Sequence, residues 1–343
     1  MTRMRATALS VYLSAADTGG VTCSLLTAPT LLTLFLCAPA CSGSPVRGAF
    51  PGAARDAPRS VRVRTIEGSA LRIRVVPLEE YVAAAALSEF APSADDSGSV
   101  EAMLEIQAII GRTYALSHLS RHAADQFDLC ATSHCQLYEP SRLRSSRWAP
   151  AAAAATRKTA GVVLWYGDGP ASALFHADCG GHTSDARAVW GGAGLAYLAG
   201  RPDNGPADRA HAAWVYEATD KALLAALNAD TKTRVGSRLE SIVVSTRDAA
   251  GRAEWLSVRG ATEVSVRGET LRAVLTQSFG ARTIRSTRFD VQRQRGGFRF
   301  SGRGFGHGVG LCQAGALARL RAGARPRAVL QRYFPGTRLI TLS

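Results

Sequence analysis

The sequence predicts an α+β fold, and three features carry that expectation. Residues 61–76 alternate apolar and arginine side chains with period two on both sides of "EGS". Residues 77–90 and 99–121 show helical character. Downstream, strand-like and helix-like stretches intermix without a regular β-α-β beat, so a parallel α/β sheet is not indicated. The 343 residues, 46% hydrophobic and 20% charged, are enough for one large domain or two ordinary ones.

Each element follows from its own stretch. Thr18 to Val46 contain no charge, and "LLTAPTLLTLFLCAPA" is an apolar run ending in small residues before Cys41. This reads as a secretory signal peptide over 1–41, although Asp17 stands where a basic n-region is expected. Pro29 and Pro39 interrupt the run, which argues against a membrane span. Cys41 offers a lipid attachment point as the alternative ending. Residues 42–60, rich in Ser, Gly, Pro and Ala, read as a flexible linker. "VRVRTIEGSALRIRVV" then reads as strand, turn and strand with the arginines on the wet face. Pro77 opens an alanine-rich helix whose first turn carries Glu79 and Glu80, where the macrodipole favours acids, and Pro92 ends it. Ser99 is the expected N-cap of a second helix, with Met103, Gln107, Ile110 and Tyr114 on one face.

A loop with Cys130 and Cys135 follows, then short strands around Asp168-Gly169, a tight "CGGHTS" loop, and an internal break at "RPDNGPADR". The break divides the expected domain, 61–343, into sub-regions 61–200 and 201–343. The second holds further helices and strands and then "SGRGFGHGVGLCQ" before a last helix. Period two is strand period. It predicts an extended segment with Gly302, Gly304, Gly306, Gly308 and Gly310 on one bare face and Arg303, Phe305, His307 and Val309 on the other.

Several function classes are excluded. The glycine spacing never meets G-x-G-x-x-G, and the stretch has no lysine for a phosphate loop, so nucleotide binding is unsupported. The net charge is 41 − 27 = +14, nearly all of it arginine. That charge suits an anionic partner such as cell wall or a membrane surface, or reflects coding bias. It is scattered singly rather than in runs, so a nucleic-acid patch is not indicated. No H-E-x-x-H set is present, which disfavours a zinc-dependent hydrolase. Cys130, Cys135, Cys179 and Cys312 form an even set, open to disulfides or to a metal site.

Six pieces in order, "VPLEEYVAAAALSEF", "EAMLEIQAIIGRTYAL", "FDLCATSHCQLYEP", "ALFHADCGGHTS", "RSTRFDV" and "GRGFGHGVGLCQAGALA", resemble the SpoIID/LytB family of bacterial cell-wall remodelling proteins. The resemblance covers roughly residues 60–340. It implies a SpoIID-like mixed fold of helices and short antiparallel strands around a glycan-binding groove. It also implies a peptidoglycan lytic transglycosylase that cleaves MurNAc–GlcNAc strands to 1,6-anhydro products, in cell-wall remodelling or sporulation. Glu89 in "LSEFAP" matches the catalytic acid. Phe90 replaces the usual Met and Ala91 displaces the proline to Pro92, and neither change removes the carboxylate. One glutamate serves both proton transfers of such a reaction if an apolar setting raises its pKa. Asp95 and Asp96 read as loop polars before the next helix.

The alternative the resemblance carries is a non-catalytic peptidoglycan-binding enhancer of a cell-wall amidase. For the cysteine loop it implies structural zinc on Cys130, Cys135 and His122, with His134 set aside because it adjoins Cys135. A Cys130–Cys135 disulfide and free thiols stay open, and the chemistry itself needs no cofactor. Many relatives carry serine where this chain has Cys179 and Cys312, which suggests contact between the two glycine loops and a disulfide. Arg112, Gln136, Tyr138, Gly180, Gly181, His182, His307 and Gln313 are the expected groove residues, with Arg112 for a carboxylate and Tyr138 for a sugar face. The expected partners are glycan strands and an amidase, outside the cytoplasm in the periplasm, the cell envelope or the medium.

Overall fold

The structure, a computed structural model, describes residues 57–90, 96–203 and 213–343. The signal peptide expected over 1–41, most of the linker, Pro92 and Asp95 lie outside the described residues. The architecture is mixed α+β, with helices packed against several small, mainly antiparallel sheets. Among the described residues no helix is long and apolar enough to cross a membrane.

The first part begins with a hairpin of β1 (Ser60–Glu67) and β2 (Ala70–Pro77). Its register pairs Glu67 with Ala70 across a turn at Gly68. That register settles which side chains share a face. Val61, Val63 and Thr65 of β1 point inward, so their partners Val76, Arg74 and Arg72 share the inner side. Leu71, Ile73 and Val75 therefore face solvent beside Arg62 and Arg64. The arginines are wet on both strands, as expected, but β2 is exposed on both faces: Arg72 and Arg74 stay in solvent on one side, and Leu71, Ile73 and Val75 are exposed on the other.

The helix α1 (Leu78–Glu89) follows at once and is buried almost all round. That explains its alanines: small side chains let it pack closely against α2 (Ser97–Ser117). Asp96 caps α2 by accepting from the Ser99 N–H at 3.4 Å, so the helix starts two residues before the expected Ser99 cap. β3 (Leu129–Cys130) adds to β1 in parallel. Then come α3 (Arg142–Ser145), α4 (Ala149–Lys158), and the hairpin β4 (Val162–Tyr166) with β5 (Gly169–Pro170). Short elements close this part: β6 (Phe175–His176), β7 (His182–Thr183), α5 (Ala186–Trp190) and β8 (Arg201–Pro202).

Two three-stranded sheets form the next part. β9 (Ala213–Thr219), β13 (Phe289–Gln294) and β14 (Gly297–Arg303) make one. β10 (Leu239–Arg247), β11 (Ala253–Gly260) and β12 (Glu263–Arg267) make the other. With α6 (Asp220–Asn228) and α7 (Gly268–Phe279) they enclose a separate core that includes Leu223, Leu256, Leu271 and Phe300.

The chain then returns to the first part. β15 (Leu311–Cys312) pairs in parallel with β6, and β16 (Arg338–Thr341) pairs antiparallel with β4. Between them, α8 (Gln313–Arg321) and α9 (Pro326–Tyr333) bury Ala316, Leu330 and Tyr333 in the core with α1 and α2. The stretch 201–343 is thus divided: residues 214–300 hold their own core, and the C-terminal segment completes the first one.

The glycine segment corrects the extended reading. The strand β14 stops at Arg303. Gly304, Gly306, Gly308 and Gly310 all lie at positive φ, between 73° and 100°, so the chain winds irregularly rather than running as a strand. The alternation has steric causes. A side chain at Gly308 would strike the buried Arg252 guanidinium, which donates to the Gly306 carbonyl at 2.9 Å and the Cys179 carbonyl at 3.1 Å. A Cβ at Gly310 would overlap the Leu174 carbonyl oxygen. Gly310→Ala, strained in both backbone and contact, is expected to cost about 2 kcal/mol or more in denaturant unfolding. A change within about 0.5 kcal/mol would contradict this packing.

Candidate active site

Glu89 is the last residue of α1, and no cation stands in that helix's last turn. A carboxylate at a helix C-terminus meets the negative end of the macrodipole, so its charge is disfavoured there. Burial adds to this. The Glu89 carboxyl is half-buried, with Leu87 and Phe90 buried on either side. Its pKa is pushed up to about 7, chiefly by desolvation, with the Leu137 N–H opposing and the nearby Glu139 carboxylate adding.

The segment Gln136–Glu139 clamps this helix end. The Leu137 N–H donates to Glu89 Oε1 at 2.7 Å. The Glu139 N–H donates to Ser88 Oγ at 2.9 Å, and that hydroxyl donates to the Ala84 carbonyl at 2.7 Å. From 224 positions away, Gln313 Nε2 donates to the Glu89 carbonyl at 3.2 Å and satisfies one of the orphan acceptors of the helix end. Bonding one carboxyl oxygen to Leu137 leaves the other to carry a proton.

Directly upstream of the clamp lies a donor cluster. His122, Cys130, His134 and Cys135 place their ligand atoms within 4.8 Å of one another. The Cys130 and Cys135 sulfurs are 3.2 Å apart, and His122 Nε2 is 3.3 Å from Cys135 Sγ. His134 Nδ1 lies 3.6 Å from Cys130 Sγ and 3.7 Å from Cys135 Sγ. Hydrogen bonds from Cys135, Thr132 and His134 hold the Cys130 thiol well below its ordinary pKa, and burial lowers His122, which keeps its imidazole neutral. A thiolate and a neutral imidazole are the ligand forms a metal needs. His134, set aside on sequence, belongs to the group. The Cys135 N–H bonds to the Thr132 carbonyl at 3.0 Å, and in this tight turn adjacent side chains do not alternate as they would in a strand. Both cysteines are free thiols, so the disulfide reading fails here.

Comparison with known proteins now gives these features a setting. Residues 67–166, which hold Glu89, the clamp and the cluster, match the model of the family described as stage II sporulation protein, SpoIID. Over that stretch the chain is similar to the SpoIID family. It is 27% identical to a stage II sporulation protein D of Bacillus subtilis over 77% of this chain and 74% of that one. An amidase enhancer of the same organism is 38% identical over 23% of this chain and 10% of its own length. An uncharacterized protein of Brachyspira hyodysenteriae is 27% identical over 77% of this chain. The chain spans 66% of the Brachyspira relative and only a small part of the amidase enhancer. Residues 196–310 match a domain of unknown function, DUF8618.

Several expected groove residues turn out to be framework. Arg112 is fully buried: it is ion-paired to Glu79 and donates to the Val162 carbonyl at 3.0 Å, so it has no donor to offer a substrate carboxylate. Tyr138 stacks on Tyr81 at 5.3 Å in the core rather than presenting a face to a sugar. Gln136, also buried, accepts from the Tyr81 hydroxyl at 3.0 Å. Gln313 acts on Glu89 through the backbone. His307 is locked by both nitrogens, Nε2 on the Phe175 carbonyl at 2.9 Å and Nδ1 on the Val309 N–H at 3.1 Å; burial lowers its pKa to about 4.

The glycine loops do touch, as expected, with the Asp178 and Phe305 backbones bridged. The Gly180 carbonyl accepts from Arg288, the Gly181 carbonyl accepts from the Asp203 N–H at 3.0 Å, and His182 Nδ1 lies 2.7 Å from the Thr183 carbonyl. The expected Cys179–Cys312 disulfide is not formed, and both are buried thiols. Glu139 escaped the sequence reading. Its signal was a second acid in "LYEP", placed by the cysteine loop rather than by proximity in sequence.

The raised carboxyl makes a stability prediction. Below about pH 4.5 the group is protonated in both folded and unfolded chains. Between the two pKa values only the folded chain holds the proton, so stability falls as pH rises through about 7. Glu89→Gln removes that penalty. It should therefore melt above the wild type at pH 8 and coincide with it at pH 4.5. A variant that melts lower at pH 8 would contradict the desolvated setting.

Proposed function

We propose that the chain is an exported peptidoglycan lytic transglycosylase with Glu89 as its acid and base. The observation that supports this best is the half-buried carboxyl poised at about pH 7. A protonated Glu89 gives its proton to the glycosidic oxygen between MurNAc and GlcNAc. The resulting carboxylate then takes the proton of the MurNAc C6 hydroxyl, whose oxygen closes the 1,6-anhydro ring. No water enters, and one group with a pKa near working pH serves both steps. The Leu137 N–H orients the carboxyl, and the nearby Glu139 carboxylate, paired with Arg142 at 2.6 Å, favours the protonated form of Glu89. The SpoIID family match and the names of the relatives support a cell-wall role. Such a substrate requires export, which the apolar stretch within 1–41 would direct.

The donor cluster fits zinc. Two thiolates and two imidazoles are one of its structural sets, and tetrahedral bonds of about 2.0–2.3 Å bring ligand atoms to separations like those observed. His122, Cys130, His134 and Cys135 would hold it. Bound there, zinc supplies a structural cross-link and no chemistry at the substrate. It would brace the segment that donates to Glu89 and Ser88.

A second reading, an amidase enhancer without activity of its own, is favoured by the match to the amidase enhancer. Product analysis separates the two. Denuded glycan should yield products one water lighter than hydrolytic ones, and Glu89→Gln should lower the rate by about 10²–10⁴-fold. The wild-type rate should fall about tenfold per pH unit above pH 7, where the acid is lost. Undiminished activity in the variant, or no cleavage by the wild type with intact amidase stimulation, would overturn the assignment. Cys130→Ser should lose one zinc per chain and lower both melting temperature and activity; unchanged zinc would remove the bracing role.

A further inference from the structure

A second set of metal-type donors lies under the glycine loops. The parallel pairing of β15 with β6 sets Cys312 beside His176, and Cys179 follows His176 by three residues. The ligand atoms of His176, Cys179 and Cys312 lie within 4.8 Å of one another, and all three residues are buried.

Three backbone N–H groups point at the two sulfurs. Cys312 Sγ accepts from the Cys179 N–H and from the Gly315 N–H, each at 3.3 Å, the latter in the first turn of α8. Cys179 Sγ accepts from the Gly181 N–H at 3.2 Å. The histidine is oriented as well. Its Nδ1 bonds to the Val309 carbonyl at 3.1 Å, which fixes Nδ1 as the donor and Nε2 as the lone-pair nitrogen. Cys179 Sγ donates to Asp203 Oδ2 at 3.3 Å, so a carboxylate oxygen lies beside the sulfur, and Arg319 pairs with that carboxylate at 2.6 Å.

We propose that His176, Cys179 and Cys312 form a second, buried structural site for Zn²⁺, with Asp203 the nearest candidate for the fourth position. The charge balance favours a divalent ion. Two thiolates and a neutral imidazole cancel its charge, so little net charge is left in a dry core, where an unpaired one would be costly. Binding releases the two thiol protons to solvent. The ion would tie the Cys179–Gly181 turn to the first turn of α8, whose Gln313 holds the end of α1. This proposal does not depend on the reaction assigned to Glu89.

The test is metal stoichiometry on the full chain, stripped under reductant and chelator and then reloaded with zinc. Wild type should bind two zinc ions per chain. Cys179→Ser/Cys312→Ser should bind one fewer. Cobalt loaded into the Cys130→Ser/Cys135→Ser variant, which leaves the second site intact, should show a thiolate-to-cobalt charge-transfer band. Zinc content unchanged by the Cys179/Cys312 substitutions would overturn the proposal. So would absence of the band, or an intact mass lower by two hydrogens that marks Cys179–Cys312 as a disulfide. Where the serine variant does not fold, the cobalt band decides alone.

Discussion

Glu89 ends a helix with no cation in its last turn, and apolar neighbours strip water from its carboxyl. Both effects disfavour the charge, and desolvation first, with the nearby Glu139 carboxylate adding, brings the group to titrate near neutrality. The remaining features of the site act on this one carboxyl. The Leu137 N–H partly offsets the desolvation and fixes one oxygen, so the proton has a defined place. Without that bond the group would be apolar-buried and unoriented. Without the burial it would be an ordinary ionised glutamate with no proton to give at neutral pH.

Holding such a group requires rigid support from distant parts of the chain. The clamp at 136–139 follows directly on the cysteine–histidine loop and bonds back to it, the Tyr138 N–H donating to the Ala131 carbonyl at 3.4 Å. The other support comes from the C-terminal segment, which crosses through the glycine turns, pairs with β6 and delivers Gln313 to the helix end. In this arrangement the alternating glycines serve packing: their left-handed backbone admits the Arg252 guanidinium and the Leu174 carbonyl where side chains would clash. The two supports explain why conspicuous polar residues such as Arg112, Gln136 and His307 are spent internally.

Much of the fold was legible in the sequence because local signals agreed with tertiary demands. Pro77 with Glu79 and Glu80 marked the start of α1, and the alternation of 61–76 marked the hairpin. Glu89 was legible as a carboxylate among apolar residues, sharpened by the family resemblance. What escaped depends on pairing. The exposure of Leu71, Ile73 and Val75 beside the wet arginines of β2 depends on what packs on the hairpin, which alternation alone cannot fix. Period two in the glycine segment signalled alternating left-handed φ, which in sequence looks the same as a strand. Arg112 found its partner 33 positions away in Glu79, and His134 joined the cluster because a turn overrode the rule for adjacent side chains.

The central claim is that Glu89 holds a proton at neutral pH, and the most direct measurement is a titration of its own carboxyl carbon. In protein labelled with ¹³C at glutamate carboxyls, Glu89→Gln identifies the resonance, whose shift is then followed with pH. The account predicts a midpoint at about 7. A midpoint near the ordinary glutamate value of about 4.3 would contradict it, since the carboxyl would then be ionised and unable to act as the acid.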